Sequence, residues 1–169
     1  MLLYPDAMYD RIEDIDIDKL KKLNIKGMIL DIDNTLMDKT KILQKPVIDW
    51  VEKVKNSGIK VYILTNTNKR KKVEKVVNEL KLPYIMIALK PLKRGFKKCL
   101  KLLQLEPKEI CVIGDQIFTD VLGGNRMGMY TIYTKPINEK DCNIGTALKR
   151  PIEKKVIEKY LKERGKHDK

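Results

Sequence analysis

The stretch GMILDIDNTL, residues 27–36, begins with small and apolar residues and continues into two carboxylates at alternate positions. Side chains alternate between the two faces of a β-strand, so Asp31 and Asp33 point to the same side. A buried strand offers no packing reason for two aspartates, because burying an unpaired charge is costly. The stretch therefore predicts a buried strand that delivers a pair of carboxylates at its carboxyl end.

Apolar runs of strand length recur along the chain and alternate with amphipathic segments of helical period. The predicted strands are residues 27–32, 59–65, 84–89, 110–114 and 129–134, and the predicted helices are residues 46–57, 69–81, 91–104 and 118–127. Runs that are apolar throughout are typical of strands covered on both faces. The alternation predicts a three-layer α/β/α fold with a mostly parallel sheet between helices.

The length of 169 residues suits one domain. We assign residues 1–135 to this domain and residues 136–169 to a C-terminal loop and helix extension packed on it. A short helix over residues 14–23 is predicted to lead into the first strand. Residues 135–150 are predicted as a loop that contains Pro136 and Gly145, residues 152–164 as an amphipathic helix, and residues 165–169 as a polar tail.

The composition limits the class of protein. Apolar residues make up 43% of the chain, which excludes a disordered chain, and no apolar run approaches the roughly 20 residues of a membrane span. No export signal is seen near the start, so the cytoplasm is the expected compartment. Cys99, Cys111 and Cys142 form no CxxC pair, and His167 lies in the tail. Any chemistry is therefore expected to use other groups.

The charge of the chain is strongly basic and unevenly distributed. The formal net charge is +13, and residues 39–108 carry 19 basic and 5 acidic side chains. Such a field attracts an anionic partner, which could be nucleic acid, an acidic lipid surface or a phosphorylated substrate. The alternative interpretation is that most of these lysines are solvated helix surface.

The next three predicted strands also end in chemically capable side chains. These are Thr65 with Asn66, then Lys90, then Asp115 with Asp120. Ligands bind at the carboxyl ends of the strands in an open parallel sheet, so we expect these groups to meet the first two aspartates. Clustered carboxylates need a cation, and oxygen ligands favour Mg²⁺. A hydroxyl and an ammonium can hold phosphate oxygens, so the set predicts phosphoryl transfer.

The order of these pieces resembles the haloacid dehalogenase (HAD) superfamily of phosphohydrolases. The matching motifs are DIDNTL at residues 31–36, the threonine of ILTN, the lysine of ALKP, and GDQIFTD at residues 114–120. The resemblance implies a Rossmann-like, HAD-like fold and Mg²⁺-dependent hydrolysis of a phosphomonoester through an aspartyl-phosphate. The carboxylate of Asp33 favours a phosphatase, because HAD ATPases and dehalogenases characteristically lack an acid at that second position.

The resemblance also implies catalytic roles for four residues. Asp31 would be the nucleophile, and Asp33 would protonate the leaving alkoxide and then activate water. Thr65 would donate its hydroxyl to the transferring phosphoryl group, and Lys90 would neutralise charge beside it. Each role serves in-line positioning or the stabilisation of charge on the equatorial oxygens.

The same resemblance implies a metal site and a substrate site. The implied Mg²⁺ ligands are Asp31, Asp33 through its backbone carbonyl, Asp115, and Asp120 acting through water or by orienting the site. Asn66 is predicted to contact substrate, with capping of the following helix as the alternative. Lys93 is predicted to extend the phosphate site, with solvated surface as the alternative.

The spacing of the motifs limits what lies between them. Only 31 residues separate Asp33 from Thr65, and 24 separate Thr65 from Lys90. Each interval accommodates a loop, a helix and the next strand, which leaves no room for a sizeable cap domain. By analogy with the superfamily, an uncapped site is open and suits a large substrate whose own bulk excludes water.

A narrower resemblance covers most of residues 4–135. The acidic lead-in to the first strand, ALKP and GDQIFTDVLGGNRMGMYTI resemble the YqeG group of HAD class IIIA. That group is similar to the mitochondrial-type phosphatidylglycerophosphate phosphatases, so this lipid is the leading expected substrate. The alternatives are a nucleotide, a nucleic-acid end or another soluble phosphomonoester, and a non-enzymatic adaptor on RNA or the ribosome.

The basic run Lys69-Arg70-Lys71-Lys72 directly follows the second strand end. It is predicted to dock the protein peripherally on an anionic membrane, where each cation contributes about 1 kcal/mol, or else to be a solvated helix start. Nucleic acid is less favoured as a partner because the chain offers no aromatic stacking platform. No feature of the sequence indicates an oligomeric state.

Overall fold

The computed structural model describes residues 1–140 and 144–167. Six strands form one sheet in which every neighbouring pair is parallel. The strands are β1 (Ala7–Tyr9), β2 (Gly27–Leu30), β3 (Lys60–Leu64), β4 (Tyr84–Ile85), β5 (Ile110–Gly114) and β6 (Tyr130–Thr134). Their order across the sheet is β1-β6-β5-β2-β3-β4, which places β2 between β5 and β3.

Helices lie between successive strands, and one further helix follows the last strand. They are α1 (Ile17–Lys22), α2 (Lys45–Asn56), α3 (Arg70–Leu80), α4 (Lys93–Leu103), α5 (Leu122–Arg126) and α6 (Ile144–His167). A π-helical turn at Ile117–Val121 precedes α5. Parallel strands need crossover connections of this kind, so the alternation seen in the sequence becomes a sheet with helices on both faces.

The alternation of side chains along β2 shows how the layers are held together. Met28 and Leu30 pack on one face, in a buried cluster to which α1, α2 and α3 contribute. Ile29 points to the other face, where it meets Phe96 and Cys99 of α4. The predicted three-layer α/β/α fold with a parallel sheet is therefore confirmed. Within the described residues, no further domain interrupts the connections between β2 and β3 or between β3 and β4.

The edges of the sheet differ from the prediction. Strand β1, which pairs with β6, was not predicted, because three residues are too few to show a period. The third predicted strand was too long: β4 stops at Ile85. Ile87 and Leu89, predicted as strand, instead have φ of 50° and 53°, in the left-handed region that leaves the extended path.

The C-terminal part departs further from the prediction. The predicted loop over 135–150 is wrong for residues 144–150, because α6 begins at Ile144 and continues through Pro151 to His167. The predicted helix over 152–164 was too short at both ends, and part of the predicted polar tail is helical. A proline within a helix removes one backbone hydrogen bond, and for that reason the sequence pattern indicated a break. Cys142 and the end of the tail at 168–169 lie outside the described residues.

Packing against the sheet holds α6 in place. Val156 and Ile157 lie against a buried cluster of Ile117, Val121 and Tyr133. These contacts join the last helix to the segment that follows β5 and to β6. None of the described helices combines the length and apolar character needed to cross a membrane.

Replacing Gly123 by alanine should destabilise the fold. A Cβ at Gly123 would overlap the ring of Phe96, which is fully buried. We expect Gly123→Ala to lower the free energy of unfolding by about 1–3 kcal/mol in urea titrations. Phe96→Leu removes the ring atoms in the way, so the double variant should lose less than the two single losses combined. An unchanged midpoint in Gly123→Ala would contradict the close approach.

Candidate active site

The topology of the sheet determines where the site lies. From β2 the chain moves outwards to β3 and β4, and it then returns to build β5 and β6 on the opposite side of β2. Such a reversal opens a crevice at the carboxyl ends of the two central strands. Asp31 follows β2 and Asp115 follows β5, so the crevice begins with two carboxylates.

Three buried carboxylates meet in this crevice. Asp31, Asp115 and Asp120 each offer one oxygen, and these oxygens all lie within 4.8 Å of one another. Asp33 stands apart from this cluster, with 42% of its side chain exposed, and it forms an ion pair with Lys72 of α3. Asp31, Asp115 and Asp120 therefore converge as predicted, whereas Asp33 does not join them and is turned towards solvent.

Lys90 lies at the centre of the cluster. Its ammonium donates hydrogen bonds to Asp31 Oδ1 at 2.6 Å and to Asp120 Oδ1 at 2.7 Å, and only 3% of its side chain is exposed. The side chain of Asn66 accepts from the Lys90 N–H at 2.7 Å and donates to the Lys90 carbonyl at 3.1 Å. Asn66 also lines the cavity, so it can hold Lys90 and still face substrate.

The GDQIFTD segment is folded tightly around Asp120. Its second carboxylate oxygen accepts from the Gln116 N–H at 3.3 Å and from the Thr119 hydroxyl at 3.1 Å. A Cβ at Gly114 would collide with the Asp120 carboxylate. The glycine of this motif is therefore required by the close approach of Asp120 to the end of β5.

Two residues that were predicted to contact the phosphoryl group do not line the cavity. Thr65 is fully buried, and its hydroxyl accepts from the Thr67 N–H at 3.2 Å. Lys93 is exposed at the start of α4. Neither residue lines the cavity, whereas Thr67 does. Contact of Thr65 and Lys93 with a phosphoryl group stays a prediction.

A cavity of about 690 Å³ opens onto Asp31 and Asp33. This volume is within the range of pockets for ligands larger than inorganic phosphate. Asp31, Asp33 and Lys90 lie among its lining residues, and four further lysines line it: Lys39, Lys69, Lys72 and Lys149. The cavity therefore combines a group of carboxylates with a surround of positive charge.

Burial shapes the protonation of the cluster. Burial raises the pKa of Asp31 to about 7; the positive charge of Lys90 opposes this rise, and the negative charges of Asp120 and Asp33 add to it. Burial likewise raises the pKa of Asp115 to about 8 against the opposing charge of Arg150. Burial disfavours the charged form of Lys90, but Asp120 and Asp31 outweigh it and raise the Lys90 pKa above its usual range.

The donors of the cluster fit a small divalent cation. Asp115 Oδ1 is buried and has no hydrogen-bond partner among the described residues. Oxygen donors of this kind suit Mg²⁺, and a cation would satisfy the orphaned oxygen and relieve the repulsion between carboxylates. The cluster could therefore bind a metal ion.

The structure adds site residues that no sequence motif indicated. Lys72, predicted only as part of a docking run, forms the ion pair with Asp33. Arg150 of α6 forms an ion pair with Asp115 and a hydrogen bond to Glu153. Lys72 lies near a helix N-terminus, where a basic residue opposes the helix dipole. This unfavourable placement was the sequence signal that pointed to a functional role for Lys72. Arg150 lay in a predicted loop and carried no such signal.

Comparison with known proteins identifies the relatives of this fold and site. The family model described as "Mitochondrial PGP phosphatase" matches residues 1–138. The chain belongs to this family. The chain is therefore a HAD-type phosphatase that hydrolyses phosphomonoesters, and the predicted superfamily and enzyme class are confirmed.

Individual relatives agree with this assignment. The chain is 39% identical over 162 residues to "Probable phosphatase YqeG" of Bacillus subtilis, covering 95% of this chain and 92% of that protein. It is 24% identical over 157 residues to "Phosphatidylglycerophosphate phosphatase 1, chloroplastic/mitochondrial" of Arabidopsis thaliana, covering 88% of this chain and 45% of the plant protein.

A solved structure shows the same fold. The crystal structure of a haloacid dehalogenase-like hydrolase from Brucella suis matches with a TM-score of 0.54 at 10% identity. The match covers 70% of the chain described here and 91% of the Brucella protein. HAD phosphatases generally use Mg²⁺, which agrees with the donor set of the buried cluster.

Binding of Mg²⁺ should depend on pH. Mg²⁺ needs ionised ligands, while Asp31 and Asp115 hold protons until pH rises past about 7 and about 8. We expect Mg²⁺ affinity to increase as pH rises through this range and to level off above it, with protons released on binding. Isothermal titration calorimetry in buffers of different ionisation enthalpy measures both quantities. Asp31→Asn should release fewer protons, and an affinity independent of pH would contradict the raised pKa values.

Proposed function

We propose that the protein is a Mg²⁺-dependent phosphatase that converts phosphatidylglycerophosphate into phosphatidylglycerol at a membrane surface, through an aspartyl-phosphate. The observation that carries the proposal is the buried cluster of Asp31, Asp115, Asp120 and Lys90, of which Asp31 and Lys90 line a cavity that four further lysines also line. The family match and the plant relative's name support the lipid as substrate.

The chemistry follows from two carboxylates with different surroundings. Asp31 is buried beside Lys90, and its oxygen attacks phosphorus while the bond from phosphorus to the glycerol oxygen breaks. Asp33, partly exposed at the cavity, takes up a proton from solvent on leaving its ion pair with Lys72 and donates that proton to the leaving glycerol oxygen. In the second step a water attacks phosphorus, Asp33 takes its proton, and inorganic phosphate leaves Asp31 free.

The remaining residues of the site stabilise charge. Lys90 neutralises negative charge beside the reacting carboxylate, and Asn66 keeps its backbone in place. Asp31, Asp115 and the carbonyl of Asp33 would hold Mg²⁺, with Asp120 acting through water or by orienting the site. When bound, the ion supplies positive charge next to the phosphoryl oxygens.

The lysines of the cavity support a substrate with more than one anionic group. Phosphatidylglycerophosphate carries a terminal phosphomonoester and a phosphodiester that joins its glycerol to the lipid. With the monoester at Asp31, the phosphodiester would face the exposed lysines of the cavity, which are Lys39, Lys69 and Lys149. A site without an inserted cap leaves the acyl chains in the membrane.

Phosphate release from the lipid tests the proposal. We expect wild type to hydrolyse phosphatidylglycerophosphate in mixed micelles with Mg²⁺ far faster than a soluble aryl phosphate. Asp31→Asn should lose at least about 1,000-fold in kcat/KM because the nucleophile is removed. Asp49→Asn, on the exposed side of α2, is the matched control and should retain full activity.

The alternatives give different results in the same assay. Turnover of aryl phosphate or a nucleotide at a rate equal to or above that of the lipid would contradict the lipid assignment and leave the phosphatase. No Mg²⁺-dependent release from any of these substrates, together with salt-sensitive RNA binding that Asp31→Asn leaves unchanged, would favour the adaptor alternative.

Exposed apolar side chains near the cavity support peripheral contact with an anionic membrane at its cytoplasmic face. Ile144 and Leu148 of α6 are 82% and 73% exposed, and their neighbours Gly145 and Lys149 line the cavity. On the loop that carries Lys90, the exposed apolar residues are Ile87, Leu89 and Leu92. Apolar side chains beside lysines are typical of surfaces that insert into an anionic lipid interface.

Removal of the apolar contact should weaken membrane binding. We expect Ile144→Ser/Leu148→Ser to bind phosphatidylglycerol-containing vesicles at least about tenfold more weakly in sedimentation assays, because about 1 kcal/mol of transfer free energy is lost per side chain. Hydrolysis of a soluble aryl phosphate should be retained. The matched control is Leu102→Ser/Leu161→Ser, which removes two similarly large exposed side chains elsewhere. Equal binding by both double variants would contradict this docking surface.

A further inference from the structure

Helix α6 reaches into the active site through one side chain. Arg150 Nη1 donates to the backbone carbonyl of Asp115 at 2.6 Å, and Nη2 donates to Asp115 Oδ2. The Arg150 side chain is 18% exposed and that of Asp115 is fully buried. The guanidinium therefore grips both the backbone and the carboxylate of one residue, a geometry that a lysine with a single nitrogen does not reproduce.

A second buried side chain of α6 holds this contact in place. Glu153 is only 2% exposed, accepts from Arg150 Nη1 at 3.3 Å, and accepts from the Phe118 N–H at 3.0 Å. Phe118 lies between Asp115 and Asp120, in the π-helical turn Ile117–Val121 that includes Asp120. The Arg150–Glu153 pair thus connects α6 to two points of the segment that carries two of the three clustered carboxylates.

The two oxygens of Asp115 have different surroundings. Oδ2 is bound by Arg150, whereas Oδ1 is buried without a hydrogen-bond partner among the described residues. Asp115 shares the cluster with Asp31 and Asp120, and the oxygens that the three residues each offer lie within 4.8 Å of one another. The arginine therefore fixes the carboxylate through one oxygen and leaves the other for a cation.

We propose that Arg150 and Glu153 are positioning residues for the metal site, so that α6 completes the active centre from outside the matched family region of residues 1–138. This inference rests on the Mg²⁺-dependent activity proposed above. A ligand whose orientation is already held by hydrogen bonds loses less freedom when the ion binds, and loss of such an outer partner typically costs 10–100-fold in metal affinity.

A competing effect acts in the opposite direction. The positive charge of Arg150 reduces the negative charge of the cluster and by itself would weaken the binding of a cation. The two effects predict opposite signs when the arginine is removed. If positioning dominates, Mg²⁺ affinity falls, and if charge dominates, it rises.

Direct titration of Mg²⁺ into the full chain decides between them. We expect Arg150→Met to raise the Mg²⁺ dissociation constant about 10–100-fold by isothermal titration calorimetry without substrate. Arg150→Lys keeps the charge but lacks the contact through two nitrogens. The logarithm of its Mg²⁺ dissociation constant should therefore lie closer to that of Arg150→Met than to that of wild type. Glu153→Gln keeps the size of the side chain and should weaken binding by a smaller factor. Lys154→Met, exposed on the same helix, is the matched control and should bind as wild type does.

Each result has a distinct meaning. Arg150→Met or Arg150→Lys with affinity equal to or tighter than wild type would overturn the positioning role. If Arg150→Met does not fold, as judged by urea unfolding, the result for Arg150→Lys decides alone. A wild type that binds no Mg²⁺ would contradict the proposed function before any variant is compared. In the activity assay, excess Mg²⁺ should restore kcat in Arg150→Met, a recovery that general damage to the fold would not allow.

Discussion

The hydrogen bonds from Lys90 to Asp31 and Asp120 are the interaction on which the rest of the site depends. All three groups are buried, and any one of them alone would be a costly unpaired charge. Together they keep two carboxylates at the centre of the sheet, at the switch point of the strand order. Asn66 secures the lysine, and the left-handed conformation of Leu89 turns the chain just before it.

Positive charge balances the carboxylates from more than one direction. Lys90 comes from the loop after β4, Lys72 from α3 and Arg150 from α6, and each forms an ion pair with a different aspartate or aspartate pair. This arrangement leaves a site that accepts an anion and a cation together, as phosphoryl transfer requires. It also makes the last helix part of the chemistry, since α6 both lines the cavity and contacts Asp115.

The strand ends could be predicted because their signals are local. An apolar run that stops at DIDNTL or GDQIFTD reports both a buried strand and its polar end, and a parallel sheet brings such ends together. The three-residue β1 and the first turns of α6 lacked such signals. The former is too short for a period, and Pro151 made the latter look like a loop.

The sequence by itself determined the three-layer fold, the ends of β2, β3 and β5, and the carboxylates that follow β2 and β5, because period and spacing along the chain specify them. Only the tertiary structure decided that Lys72 lies against Asp33, that Asp33 turns towards solvent, and that Arg150 holds Asp115. These contacts join residues 35 or more positions apart, and their partners sit on surfaces that become neighbours only when helices pack on the sheet. No local sequence pattern specifies such a contact, because the contact depends on how whole helices and strands are oriented in the fold.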